Sequence, residues 1–151
     1  MASVPGRSAA LLSSMSGTAS AVPRVLADPV RVGVALGATR VALGVGFLVA
    51  PVSSTRMLGL DSATAKRITF LARMTAVRDV VLGAGTVVSR RQPAALRYWV
   101  LAGALADLGD AAAISGAVRS RVGGGLLARA MVGGAAGAAV LGGWAGAGIK
   151  T

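Results

Sequence analysis

The stretch that decides the fold is residues 71–85, which read LARMTAVRDVVLGAG. It is apolar enough for a membrane-spanning helix, yet it contains three charged side chains, those of Arg73, Arg78 and Asp79. A charge at the bilayer centre costs about 3 kcal/mol, whereas a large apolar side chain returns only about 0.3 to 0.6 kcal/mol. Because this helix would not insert favourably alone, we expect charged partners on neighbouring helices.

Other apolar stretches also reach the roughly 20 residues that a spanning helix needs. The predicted spans are residues 32–50, 68–89, 98–118 and 130–149. Breaks rich in Pro, Gly and Arg separate them, including a Ser-Ser-Thr turn after Pro51 and a loop at residues 90–93. Short connections make consecutive helices antiparallel. The pattern therefore predicts an all-α fold, a four-helix antiparallel transmembrane bundle over residues 31–151.

Residues 1–30 differ in composition, being rich in Ser and Ala with two Gly and three Pro. Their apolar runs are shorter than the roughly 7 to 15 residues of a secretory signal core. We therefore predict a disordered N-terminal tail, in which Met15 is an alternative start. Asp28 and Pro29 then predict the beginning of a helix, with Asp as N-cap and Pro at the first helical position.

The charged residues inside the predicted spans sum to zero. They are Arg40, Arg73, Arg78, Asp79, Asp107 and Asp110. Antiparallel packing places the middles of the first three spans at similar depth, which predicts a buried charge layer at mid-membrane. We expect the arginines nearest the span midpoints, Arg40 and Arg78, to pair with the two carboxylates of the third span. The other two charges complete the layer.

Small residues recur where helices would pack closely. Residues 40–46, RVALGVG, are echoed by residues 79–85, DVVLGAG. Either a duplicated hairpin element or composition bias accounts for the echo. The fourth span has small residues at four-residue steps, which let backbones approach within the bundle or across a dimer, and we favour the bundle. The predicted packing residues are Gly44, Gly83, Gly134, Ala138, Gly142 and Gly146.

Composition narrows the function classes. With 54% hydrophobic and 14% charged residues, the chain is suited to lipid. Cys and His are absent, which excludes thiolate catalysis, disulfides and metal sites built on those ligands. We predict no catalytic residue, no metal site and no cofactor. The net charge of +11 comes from basic residues flanking the spans, and without interleaved aromatics it does not predict nucleic-acid binding.

The order of charged and small residues resembles that of an uncharacterised family of small four-span membrane proteins common in actinobacteria. The resemblance covers roughly residue 32 to the end, and its most specific part is the run Arg-x4-Arg-Asp-x3-Gly. It implies a multi-pass protein of the cell membrane and lends no activity. The residues that carry it are Arg40, Leu43, Gly44, Ala50, Pro51, Ala72, Arg73, Arg78, Asp79, Leu82, Gly83, Asp107 and Asp110.

Three function classes stay open. In the first, the chain is a structural or interaction protein in the lipid bilayer, as a homo-oligomer or with a membrane-protein partner, and the charge layer fixes helix register. In the second, it is a small proton-coupled transporter that uses Asp107 and Asp110. In the third, a membrane enzyme or lipid-binding protein, Arg40, Arg73 and Arg78 clamp an anionic group. A water-filled cavity reaching Asp107 would favour the transporter.

Overall fold

The computed structural model describes residues 28–57, 61–119 and 126–151, and this part of the chain is helical throughout, without a strand. Its helices, in chain order, are α1 (Pro29–Val49), α2 (Pro51–Met57), α3 (Ser62–Arg67), α4 (Thr69–Val88), α5 (Pro93–Arg119) and α6 (Leu126–Gly148). A single 3-10 turn, Ser89–Arg91, precedes α5. The prediction of an all-α fold is confirmed.

The predicted start of the first helix is also confirmed. Asp28 is the N-cap, and its side chain accepts hydrogen bonds from the backbone N–H groups of Val30 and Arg31 at 3.0 and 3.2 Å. Pro29 follows at the first helical position, where a missing N–H costs nothing. The alternative start at Met15 and residues 1–27 of the predicted disordered tail lie outside the described residues. The last three positions of that tail are wrong, because Asp28 caps α1 and Pro29 and Val30 belong to it.

The predicted breaks after the first and second spans are shorter than expected. The Ser-Ser-Thr turn is wrong, because those residues lie in α2, where the Thr55 hydroxyl donates to the Pro51 carbonyl at 2.8 Å. The loop at residues 90–93 is wrong for the most part, since the 3-10 turn and α5 leave only Gln92 between them. In both places a proline begins a helix instead of interrupting one.

The long helices associate most extensively as two pairs, α1 with α4 and α5 with α6. Gly37 meets Gly83 on α4, whereas Gly44, two turns later, meets Ala76. The partner number falls as the α1 number rises, so the two helices run in opposite directions. A Cβ at Gly44 would lie 2.8 Å from the Ala76 carbonyl oxygen, which is why only glycine permits this approach.

The α5–α6 pair is built in the same way. A Cβ at Gly142 would lie 3.0 Å from the Cβ of Ala104, and one at Gly146 would lie 2.6 Å from the Cγ of Leu101. These contacts again reverse the numbering, so α5 and α6 also run in opposite directions. Smaller interfaces, α1 with α6 and α4 with α5, join the two pairs.

A small apolar core lies at the end of the molecule where α1 begins. It is made of Val32, Leu96, Val100, Ala145 and Ile149. Gly33 packs closely against Val100, which brings α5 alongside α1. The core holds the two helix pairs together at this end, and the middle of the molecule is left to other side chains.

Two of the helical segments described, Pro29–Val49 and Arg129–Gly148, are long and apolar enough to cross a membrane. Helix α4 carries three charged residues within its 20, and α5 carries two near its middle and others toward its ends; neither is among these two candidates. Two of the four predicted spans are therefore supported as candidates by their length and composition, and the other two remain a prediction.

Candidate functional site

Charged side chains from three long helices meet at the middle of the molecule. They are Arg40 on α1, Arg78 and Asp79 on α4, and Asp107 and Asp110 on α5. We call these five residues the charge network. Each lies within its helix and not at an end, so the backbone around it is fixed by helical hydrogen bonds.

The inner half of the charge network is centred on Arg40. Its Nη2 donates to Asp107 Oδ2 and to the carbonyl oxygen of Gly103, the latter at 2.9 Å. Its Nη1 donates to Asp79 Oδ1 at 3.3 Å. A Cβ at Gly103 would lie 3.2 Å from the Arg40 Nε, so the glycine makes room for the guanidinium. Arg40 thereby joins α1 to both α4 and α5.

The outer half of the charge network is a two-point contact between Arg78 and Asp110. Arg78 Nη1 and Nη2 donate to the two carboxylate oxygens of Asp110 at 2.8 and 2.6 Å, the geometry in which an arginine fork matches a carboxylate. Arg78 Nη2 also donates to Asp79 Oδ1 at 3.2 Å. One oxygen of Asp79 therefore serves both arginines and connects the two halves.

Burial differs between the halves. The side chains of Arg40 and Asp107 are 15% and 11% exposed, whereas those of Arg78 and Asp110 are 35% and 36% exposed. The more open pair spans α4 and α5, which contact each other less extensively than the helices within each pair. The network thus runs from the interior to the side of the molecule.

The charge network contains three carboxylates but only two guanidinium groups. Arg73, which was expected to complete the layer, is exposed and forms no ion pair with any residue that the structure describes. Arg73 and Arg78 are five residues apart, which places them about 140° apart around a helix of 3.6 residues per turn. The five residues brought together carry a formal charge of −1, not zero.

The sequence predicted the ion pairs only as a group. Arg40 and Arg78 were expected to pair with Asp107 and Asp110, and in the structure Arg40 pairs with Asp107 and Arg78 pairs with Asp110. The sequence did not predict the central position of Asp79. The echo between residues 40–46 and 79–85 pointed to it, because the first residues of these two segments, Arg40 and Asp79, contact each other.

The predicted packing residues divide into those at interfaces and those outside them. Gly44 and Gly83 lie between α1 and α4, and Gly142 and Gly146 lie between α5 and α6. Gly134 is exposed, with no described atom of another segment within 4 Å of the position of its Cβ, and Ala138 is half-buried. Four-residue steps rotate by about 40° each, so the ends of this ladder face different directions.

The clamp expected of Arg40, Arg73 and Arg78 is not assembled. Two of these guanidinium groups are engaged by the chain's own carboxylates, and Arg73 stands apart from them. Within the described residues no group of three or more His, Cys, Asp or Glu side chains is placed to hold a metal ion. Comparison with protein families, with curated proteins and with solved structures finds no match. The resemblance to a four-span actinobacterial family therefore stays a prediction.

Proposed function

We propose that this chain is a multi-pass protein of the cell membrane, in which α1, α4, α5 and α6 form a four-helix antiparallel transmembrane bundle. Its role is structural or interactive, and the charge network fixes the register of the bundle. The proposal rests on a distribution of polar and apolar side chains that is the inverse of that in a water-soluble protein. The five charges of the network face inward and contact one another, whereas the large apolar side chains of the same helices face outward, together with Arg73 near the start of α4.

The outward apolar faces extend to the two helices that hydropathy alone does not identify as spans. Helix α4 exposes Phe70, Met74, Val77 and Val81, at steps of four, three and four residues. Helix α5 exposes Tyr98, Leu101, Leu105 and Leu108, at steps of three, four and three residues. Such spacing forms a continuous stripe on one side of a helix. Contact with lipid would stabilise these exposed apolar stripes.

The two apolar helices support the same environment. Only 22% of the apolar window of α1 and 17% of that of α6 are buried inside the protein. A core helix of a water-soluble protein would bury most of such a window, because exposed apolar patches that large promote association. In a bilayer the exposed remainder contacts acyl chains.

A structural role for the charge network follows from which interfaces it crosses. Within each helix pair, small residues pack backbone against backbone, and this packing needs no charges. The contacts of Arg40 with Asp107 and of Arg78 with Asp110 both run between the pairs. Sliding one pair against the other by a turn would separate both arginines from these carboxylates, and because Asp107 and Asp110 are three residues apart it could re-form at most one of the two contacts. The network therefore selects one register.

Cysteine accessibility tests the bundle directly, because the chain has no cysteine of its own. Single cysteines at Gln92 and Lys150 should react with a membrane-impermeant maleimide from the same side of sealed vesicles. Cysteines at Arg56 and Arg119 should react from the opposite side. Labelling of Gln92 and Lys150 from opposite sides would exclude an even number of spans between them, and labelling of all four sites from one side would exclude spanning by α4, α5 and α6.

One observation favours a second function, that of a small proton-coupled transporter using Asp107 and Asp110. The network has one carboxylate more than it has arginines, and an unbalanced charge in a membrane interior tends to take up a proton or a cation. Vesicles with an imposed pH gradient would distinguish the two functions. The structural role predicts no flux above that of empty vesicles, whereas a transporter would show flux that Asp107→Asn or Asp110→Asn abolishes.

A further inference from the structure

A groove of about 450 Å³ lies at the end of the molecule where α1 begins and α4 ends. It is separate from the charge network. It is lined by Val30, Arg31, Val34, Ala35, Ala38, Arg90 and Arg91. The arginines of the 3-10 turn and Arg31 lie at its outer end, and the small and branched apolar side chains of α1 form its wall.

The wall of the groove follows one face of α1. Val30, Val34 and Ala38 are spaced by four residues and therefore lie roughly above one another, over a length of about 12 Å at 1.5 Å per residue. The groove begins among cations at the helix end and continues along an apolar surface toward the middle of the helix. This order of charged and apolar surfaces matches that of a lipid molecule, which has a charged headgroup followed by an acyl chain.

No acidic side chain is left to balance Arg90 and Arg91. The sequence contains five acidic residues, all Asp. Asp28 caps α1 and pairs with Arg31, Asp61 caps α3, and the other three belong to the charge network. Among the described residues Arg90 contacts the Val87 carbonyl, at 3.3 Å, and neither Arg90 nor Arg91 forms an ion pair there. Charge therefore favours an anion from outside the chain as their partner.

We propose that this groove binds one phospholipid with an anionic headgroup. The phosphate contacts Arg90 and Arg91, and an acyl chain lies along Val30, Val34 and Ala38. This inference rests on the proposed membrane placement of the helices. Residues 1–27 contain Arg7 and Arg24 but no acidic residue, so charge disfavours this segment as the occupant. A second copy, whose carboxylates are engaged in the same way, is disfavoured for the same reason.

Lipid titration of the detergent-purified full chain, followed by native mass spectrometry, tests the proposal. Phosphatidylglycerol should bind about thirtyfold more tightly than phosphatidylcholine, as expected when two arginines contribute about 1 kcal/mol each. The double variant Arg90→Gln with Arg91→Gln should lose this preference. The control Arg56→Gln with Arg67→Gln removes the same charge from exposed positions outside the groove and should keep it.

A second pair of variants tests the apolar wall without changing charge. Ala38→Phe fills the groove and should weaken phosphatidylglycerol binding severalfold, whereas Ala113→Phe, at an exposed position on α5, should not. Equal affinity for the two lipids would overturn the proposal, and so would full competition by glycerol phosphate, which lacks an acyl chain. If the cysteine labelling shows a spanning bundle but the lipid preference is absent, this inference alone fails. If no helix spans, both fail.

Discussion

Removal of the Asp107 carboxylate is the sharpest test of the charge network. In Asp107→Ala, Arg40 Nη2 keeps only the Gly103 carbonyl, and Nη1 keeps its 3.3 Å contact with Asp79. Breaking one partner of a buried ion pair costs about 3 to 5 kcal/mol, because the other charge stays buried. Since Arg40 retains two partners, we expect the lower end, about 3 kcal/mol, which lowers the ratio of folded to unfolded protein by more than about a hundredfold.

The free energy of unfolding can be followed in mixed micelles by tryptophan fluorescence, because Trp99 packs against Gly85 across the α4–α5 interface. Asp61→Ala is the matched control. It removes a carboxylate of the same size from the exposed N-cap of α3, where we expect a much smaller loss than at the buried Asp107.

The compensating variant replaces both charges with apolar side chains of similar size, Arg40→Met with Asp107→Leu. Replacing a buried pair in this way is often neutral, so the double variant should recover most of the stability that Asp107→Ala loses. Either of two results would refute the reasoning. One is a loss in Asp107→Ala no larger than that of the N-cap control, and the other is a double variant as unstable as the worse single variant.

Three further outcomes follow from the structure. Arg78→Ala and Asp110→Ala should show a coupling energy of about 1 to 3 kcal/mol in a double-mutant cycle of unfolding, and additive losses would contradict their pairing. Gly83→Ala should lower the free energy of unfolding by about 1 to 3 kcal/mol, because its Cβ would collide with the α1 backbone. Gly134→Ala places its Cβ in open space, so the melting temperature should stay the same or rise slightly. A side-chain and then a backbone hydrogen bond from the third residue of α3 lower the pKa of Asp61 below its ordinary value. The cap contribution should therefore be complete above the unfolded-state pKa and lost as the pH falls through the lower folded value, and an NMR titration that shows an ordinary pKa would contradict this cap.

The sequence alone was sufficient to locate the four long helices, although not the short helices α2 and α3. Long apolar stretches and the N-cap at Asp28 placed α1, α4, α5 and α6 to within a few residues, because hydropathy and capping depend only on neighbours along the chain. The same local information was ambiguous at Pro51 and Pro93. A proline both ends one helix and suits the first position of the next, and the choice depends on whether the following residues can pack.

The sequence also determined which charges needed partners, but the tertiary structure decided the partners. A charge inside an apolar helix must be compensated whatever the fold, and that cost could be read from residues 71–85. Which arginine meets which aspartate depends on the rotation and register of α1, α4 and α5, which are set by contacts far apart in the chain. Close packing of glycines on neighbouring helices fixes that rotation. This rotation places Asp79 between Arg40 and Arg78. It also turns Arg73 away from them, because Asp79 and Arg73 are carried by the same helix.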